Sequence, residues 1–379
     1  MNDDGVKSRK YYHALKLIPS LGPRRMRTLI DYFGSPQEAW QAPASSLLKL
    51  DRYSRTLVDE VIAYRSGIDP DKAWEDVLKK DVSVVTWDEP VYPSLLKEIH
   101  DPPPVLYYRG KPEILRNPSL AIVGSRKHTV YGKEIACKFA AKLAGYGITI
   151  VSGMARGIDS WAHKGVLEAE GKTAAVLGCG PDICYPPENR GLKERITECG
   201  LVISEFPPGT PPAPQHFPQR NRIISGLSLG TLVVEAGERS GALITAGFAL
   251  EQGRDVFAIP AGIGSPYSRG CHKLLKDGAK LVETVEDILE ELYLPLKNEQ
   301  ILAENKSIQH QFQTQQQQIQ LSGVSKENKF LDLIPYEPRL LDEIIVESKK
   351  SAAEVHVLLL ELELMGKVKQ LPGKYYIRV

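Results

Sequence analysis

Two stretches of this chain combine residue types that can hold a phosphodiester. The first is Gly124-Ser125-Arg126, directly after the apolar run Ala121-Ile122-Val123. A glycine there lets the backbone approach a ligand, the free N–H groups of such a turn suit phosphate oxygens, and an arginine adds a cationic fork for them. A dinucleotide site would show G-x-G-x-x-G at this place. Here one glycine is followed by an arginine, and the next glycine is Gly132. The loop suits phosphate and not NAD; the bland alternative is a strand-to-helix turn with a solvent-facing arginine. The second stretch, Phe217-Pro218-Gln219-Arg220-Asn221-Arg222, sets two arginines and an asparagine behind an aromatic. Arginines pair with phosphates, asparagine can bond a base edge or fix a loop, and phenylalanine can stack on a base. The competing reading for Arg220 and Arg222 is a structural ion pair with Glu205 or Glu235, and both roles can coexist.

Weaker candidates surround these. Ser152-Gly153-Met154-Ala155-Arg156-Gly157-Ile158-Asp159 offers Arg156 as a phosphate contact, with Lys164 beyond it. Asp159 suits a helix N-cap. Asp159 and His163 stand four apart and could face each other as an acid–base or metal pair. No third partner is evident, so a cap plus a hydrogen-bonded histidine is preferred. Arg190 sits at the start of a helical run, where it could reach an anion, and Ser240-Gly241 opens another whose free N–H groups could take a phosphate. Cys179 and Cys184 lack the companions of a metal site. Cys271 and His272 are adjacent, and adjacent helical residues diverge by about 100°, which disfavours a nucleophile–base dyad. The reading expects no catalytic residue, no metal and no cofactor.

These residues need elements to position them. The runs Leu120–Val123, Thr149–Val151, Thr173–Leu177, Leu201–Ile203, Thr231–Val234, Asp255–Ile259 and Lys280–Val282 are short and apolar, and most are followed by Gly, Ser or Pro. Helical stretches separate them; Ile135, Phe139 and Leu143 recur at helical spacing, and Gly145 reads as a stop. Short apolar strands alternating with helices imply an α/β fold, a Rossmann-like doubly wound and mostly parallel sheet, with ligands at the carboxyl ends of the strands. That core spans 82–294. Before it, 1–75 reads as helical. After it, 295–326 is a polar, glutamine-rich linker, and 327–379 is a last small unit.

The whole-chain balance restricts how anything charged can bind. Over 379 residues, 48 basic face 47 acidic side chains, a net charge of +1. A diffuse basic surface is excluded, so a nucleic acid would need a local patch. The five cysteines are scattered, which argues for reduced thiols over a disulfide framework. No apolar stretch is long enough for a membrane span, and Met1 to Lys10 lacks the apolar core of a signal peptide. A cytoplasmic protein with no membrane partner is expected.

Taken in order, the core motifs resemble the DprA/Smf family (DNA-processing protein A). The matching segments are Ala121 to Arg126 with Tyr131-Gly132, Ser152 to Asp159 with Ala162-His163, Ala175 to Gly178 with Tyr185-Pro186 and Asn189, Ser204-Glu205, Phe217 to Gly226, Val234 to Ala236, Arg239 to Gly241, and Gly253 to Val256. The resemblance implies a protein that binds single-stranded DNA, loads RecA recombinase onto it in natural transformation or homologous recombination, and forms a homodimer through its Rossmann-like domain. By the same resemblance Gly124, Ser125 and Arg126 lie in the DNA pocket, with Arg220, Asn221 and Arg222 beside it. Arg190 falls near a basic position used by some relatives. No catalytic residue carries over.

The flanks fit such a protein. Leu17 to Arg25 resembles a helix–hairpin–helix (SAM-like) element, in which Arg24, Arg25 and Arg27 either assist a phosphate contact or accompany plain helix packing. The C-terminal unit reads as a winged helix. Ser351 and Glu354 form a capping box, the helix runs to Met365 with Gly366 as its stop, and Leu371-Pro372-Gly373-Lys374 turns the wing. Its second helix carries Glu354, Glu361 and Glu363 and no interior lysine or arginine, so a protein partner or self-association is expected over duplex binding. The main rival for the core is an enzyme, a nucleoside-monophosphate phosphoribohydrolase, faintly echoed in Gly230-Thr231 to Glu235. That class needs a second glycine pair, which Ser228-Leu229-Gly230 does not supply.

Overall fold

The computed structural model describes residues 3–292 and, apart from 332, 336, 338, 349, 365–366 and 372–374, residues 330–378. The chain divides into two compact units, Met1–Leu294 and Pro295–Val379.

The first unit is organised by a sheet that begins with two strands the apolar-run reading passed over, β1 (Ser83–Thr86) and β2 (Val105–Gly110). It continues through the expected runs as β3 (Ser119–Val123), β4 (Thr149–Ser152), β5 (Thr173–Val176), β6 (Leu201–Ser204), β7 (Gly230–Val233), β8 (Asp255–Ala258) and β9 (Lys280–Leu281). Their order is β1-β2-β6-β5-β4-β3-β7-β8-β9. From β6 to β9 all pairings are parallel, whereas β1 and β2 add an antiparallel edge beyond β6.

Strand alternation explains the two cores. Leu120 and Ile122 point to one face with Ile150, Leu232 and Phe257, covered by Phe139 and Leu143 of the Val130–Gly145 helix and by Val166 of the Ile158–Glu168 helix. Ala121 and Val123 point to the other, with Val151, Val233, Ile223 and Ala246, under the helices His216–Gly226 and Gly241–Glu251. Because both faces are covered, the central strands read as unbroken apolar runs. Thr129 starts the Val130–Gly145 helix by accepting the Gly132 N–H at 3.0 Å. The helix ends at Gly145 as expected, and the left-handed residue that then turns the chain is Gly147, at φ 79°.

The N-terminal helices join this same core. Tyr12, Leu15 and Ile18 are buried with Val105 and Tyr107 of β2. The Trp87 indole N–H donates to the Tyr12 hydroxyl at 2.6 Å, and His13 Nδ1 lies 2.7 Å from the Tyr107 hydroxyl. In the hairpin, Arg25 donates to the Ser20 carbonyl at 3.0 Å, and Arg27 lies over the Trp87 ring. Arg24 is exposed.

The second unit pairs β10 (Arg339–Leu340), β11 (Val368–Leu371) and β12 (Tyr375–Arg378) in the order β10-β12-β11. The helices Leu341–Ser348 and Ala352–Leu364 pack on them through Ile344, Val355, Leu359 and Leu362. The capping box forms as expected: Ser351 N–H donates to Glu354 at 3.0 Å, and Glu354 N–H donates back to Ser351 Oγ at 3.4 Å. The expected stop at Met365-Gly366, the wing turn at 372–374 and the 295–326 linker lie outside the described residues.

Candidate nucleic-acid interface

The chain runs from β3 outward through β4, β5 and β6, then returns to place β7 on the other side of β3. That reversal opens a crevice at the carboxyl ends of β3 and β7, where doubly wound sheets receive their ligands. The crevice here is a groove of about 680 Å³ lined by Gly124, Ser125, Arg126, Lys127, Tyr185, Phe217, Arg220, Asn221, Arg239 and Ser240 among others. Backbone bonds fix its floor. Ser125 N–H donates to the Glu235 carbonyl at 2.7 Å, and Ile158 N–H donates to the Ser125 carbonyl at 3.2 Å. Gly157 makes the second contact possible. Its φ is 82°, and a Cβ there would come within 2.7 Å of the Arg126 carbonyl.

Arg126 projects from this floor, exposed and with no ion-pair partner among the described residues. Its guanidinium carbon stands 5.5 Å from the centroid of the Phe217 ring, whose other neighbour is Tyr185 at 5.4 Å. A cation beside two aromatics, open to solvent, can take a phosphate on the guanidinium and a base on the rings. Ser240 caps the Gly241–Glu251 helix on Ala242 N–H at 3.3 Å, as expected. Arg239, just before it, is a second exposed arginine without an ion pair among the described residues. Neither Arg239 nor Lys127 was singled out from sequence. The available signal was simple adjacency, Lys127 to Arg126 and Arg239 to a helix-opening serine.

Arg220 lies deeper. It is only 4% exposed, and its Nη1 donates to the Val176 carbonyl at 2.9 Å while its Nε is buried without a partner. Burial lowers its pKa, with Asp159 opposing that shift. Gly153 leaves room for it: a Cβ there would lie 2.5 Å from Arg220 Cζ and closer still to Nη1. Asp159 is not the N-cap the sequence suggested. The cap position belongs to Gly157, and Asp159 falls in the first turn, where it accepts from Ala155 N–H at 3.4 Å. Burial raises its pKa against the pull of Arg220 and of nearby backbone amides.

His163 does not pair with Asp159. Thr173 spends its hydroxyl proton on the Ile150 carbonyl at 2.8 Å, so it accepts from His163 Nδ1–H at 2.6 Å, leaving Nε2 unpartnered. Burial, reinforced by Arg220, pushes the His163 pKa down to about 3, and burial pushes His13 down to about 4. Both rings are thus neutral when folded and take up protons only on unfolding. Stability is fully present above the ordinary histidine value of 6.5 and declines as pH falls toward those depressed values. Between pH 6.5 and about 4, each histidine should steepen the loss by up to about 1.4 kcal/mol per pH unit. Urea unfolding across that window checks this, and His163→Gln should remove one proton from the slope.

The remaining candidates separate. Arg220, Asn221 and Arg222 occupy one helix, on which residues two apart point about 200° away from each other. Phe217, Arg220 and Asn221 line the groove, whereas Arg222 points away from it. It is bound to Glu205 at 2.7 Å and to Asp101 at 3.2 Å, with Lys16 of the N-terminal helix 4.0 Å from the same Glu205 carboxylate. The expectation that Arg222 joins the DNA pocket is therefore corrected, and the ion-pair reading holds for it. Glu235 pairs with neither arginine; it accepts from Thr129 N–H at 3.0 Å and from the Thr129 hydroxyl. Asn221 Nδ2 reaches the Gly241 carbonyl at 3.3 Å. Arg156 stands at the groove mouth beside Tyr185, but its guanidinium is held bidentately by exposed Glu188. Arg190 opens its helix as expected and is exposed, yet it lines no part of the groove. Cys179 and Cys271 are buried with thiols pushed up to about 11, and His272 bonds the Ala261 carbonyl at 2.8 Å. Among the described residues no three His, Cys, Asp or Glu side chains gather as a metal site, and no helix is long and apolar enough to cross a membrane.

A doubly wound sheet with cations, aromatics and glycine turns at its switch point is a Rossmann-like α/β protein equipped for a phosphate-bearing ligand. Residues 83–293 match the family model for DNA recombination-mediator protein A, and residues 316–374 match that for the DprA winged helix domain; the chain belongs to this family. It is 36% identical to Protein Smf of Synechocystis sp. over 390 aligned positions, covering 97% of this chain and 98% of that one. The solved structure of DNA processing protein A (DprA) from Streptococcus pneumoniae superposes with a TM-score of 0.68 at 37% identity, covering 74% of this chain and 97% of that chain. A structure of DNA processing protein A from Helicobacter pylori, described as giving insight into its single-stranded DNA binding mode, superposes with a TM-score of 0.51 at 29% identity, over 56% of this chain and 97% of that one.

Proposed function

We propose that this chain binds single-stranded DNA in the switch-point groove and delivers the strand to RecA recombinase during transformation or homologous recombination. The observation that carries the DNA reading is Arg126, exposed and free of any ion pair among the described residues, set against the Phe217 ring above the buried Arg220. Phosphate on Arg126 and a base on Phe217 require an unstacked nucleotide, which a single strand offers and a duplex does not. The relatives support the assignment: one solved family member has a described single-stranded DNA binding mode. Gly124 and Ser125 supply the backbone approach, Asn221, Arg239 and Lys127 flank the strand, and Arg156 joins by exchanging Glu188 for phosphate.

In this account the Rossmann-like core 82–294 holds the DNA and forms the homodimer, the helical segment 1–75 braces it, and the winged helix 327–379 docks a protein. The protein acts by binding, without chemistry of its own, in the cytoplasm. Against the rival enzyme reading stands the Glu235 carboxylate, which accepts hydrogen bonds from the Thr129 N–H and hydroxyl. Fluorescence anisotropy with matched single- and double-stranded oligonucleotides tests the proposal. Single strands should bind at least about tenfold tighter with little sequence preference, and equal affinity for duplex would refute it.

A further inference from the structure

Beside the groove lies a second cationic feature that the reading above leaves unused. Trp161, on the Ile158–Glu168 helix, carries two ammonium groups on one ring: Lys133 Nζ stands 4.2 Å from its centroid and Lys164 Nζ 4.1 Å. The indole N–H donates to His128 Nε2 at 2.9 Å. Because an indole N–H can only donate, Nε2 is unprotonated and the ring hydrogen sits on Nδ1, a donor buried without a partner. Neither lysine forms an ion pair among the described residues, and neither do Glu134 or Glu168 on the same two helices. Two like charges held on one ring repel each other. The ring quadrupole offsets part of that, and a phosphate shared between them would offset more.

This cluster is continuous with the groove. Arg126 and Lys127 line the groove, and His128, the next residue, touches Trp161. The chain thus lays a cationic path, Arg126, Lys127, Lys133 and Lys164, from the groove onto the two helices, in a molecule whose net charge is only +1. We propose that the Lys133–Trp161–Lys164 cluster is a second phosphate-binding station for single-stranded DNA, holding the strand where it leaves the groove past Lys127. The station rests on the DNA reading of the groove. It makes binding depend on strand length, because a short oligonucleotide fills the groove alone and a longer one reaches the cluster.

The test compares a Lys133→Gln/Lys164→Gln double variant of the full chain with wild type, using oligothymidylates of about four and about sixteen nucleotides. Glutamine removes the charges while leaving a polar side chain at each position. The longer strand should bind about tenfold more weakly, and its salt dependence should fall by about 1.4 in log–log slope, as expected for two lost phosphate contacts on a single strand. The shorter strand should bind as before. Unchanged binding of both lengths, or equal loss for both, overturns the second station. Arg126→Ala, run alongside, keeps the two readings apart. If Arg126→Ala leaves both lengths unaffected, the groove reading itself fails; if it weakens both while the double variant weakens neither, only the second station fails.

Discussion

Arg222→Ala is expected to lower the unfolding free energy by about 3 kcal/mol while leaving the DNA affinity of the folded protein within about twofold of wild type. Arg222 and Glu205 are both buried, and their 2.7 Å contact is supported by Asp101 on one side. Removing the arginine strands the Glu205 carboxylate, whose Oε1 is already without a hydrogen bond. Breaking one member of a buried pair usually costs about 3–5 kcal/mol. The lower end applies because Lys16 remains 4.0 Å from the carboxylate. Urea denaturation measures the loss, and oligonucleotide titration below the transition measures the affinity. A double variant, Arg222→Met with Glu205→Leu, should recover part of the stability, since it removes both members of the closest buried pair, although Lys16 and Asp101 then lose the partners they have here. Loss of affinity at unchanged stability would return Arg222 to the DNA site.

The second large effect is expected from a single methyl group. Gly153→Ala places a Cβ on the Arg220 guanidinium, which must then give up its bond to the Val176 carbonyl and swing toward the groove that it lines. Displacing it leaves a buried carbonyl unpaired, at about 1–3 kcal/mol of stability, and takes the groove's inner cation out of position. Single-strand affinity should fall about tenfold or more, in line with losing one arginine contact. If the effect runs through Arg220 alone, Gly153→Ala with Arg220→Met should bind no worse than Arg220→Met by itself. Wild-type affinity in Gly153→Ala would show that Arg220 plays no part in holding the strand.

These two variants also mark where the sequence was legible. The parallel strands were readable because both faces are covered, so β3, β4 and β7 are mostly apolar runs, with Gly124 after β3 and Ser152 closing β4. The β1 and β2 edge was not. Val84-Val85 is too short to stand out, and the prolines at 102–104 make the start of β2 look like a loop. The groove's glycines and Arg126 were readable because a loop at a strand's carboxyl end has few other uses for them. Arg220 and Arg222 were read as one pair because they are neighbours in sequence; the helix they share sends one to the groove and the other to Glu205, which only helical phase could reveal. Asp159 looked like a cap because caps are recognised by residue type, whereas the helix is entered through the positive φ of Gly157. Of the Trp161 cluster only Lys164 was legible, since Lys133 and Trp161 meet only when two helices pack side by side.

The central claim is that a focused groove around Arg126 holds single-stranded DNA by phosphate and stacking contacts. Its most direct test is a salt titration of single-strand affinity for wild type and Arg126→Ala. Arg126 is exposed and bonded to nothing that maintains the fold, so the variant should unfold at the same urea concentration as wild type. It should bind about tenfold more weakly at about 0.1 M salt, with its log–log salt slope reduced by about 0.7, the signature of one lost phosphate contact on a single strand. The same affinity and the same slope in both proteins would contradict the account.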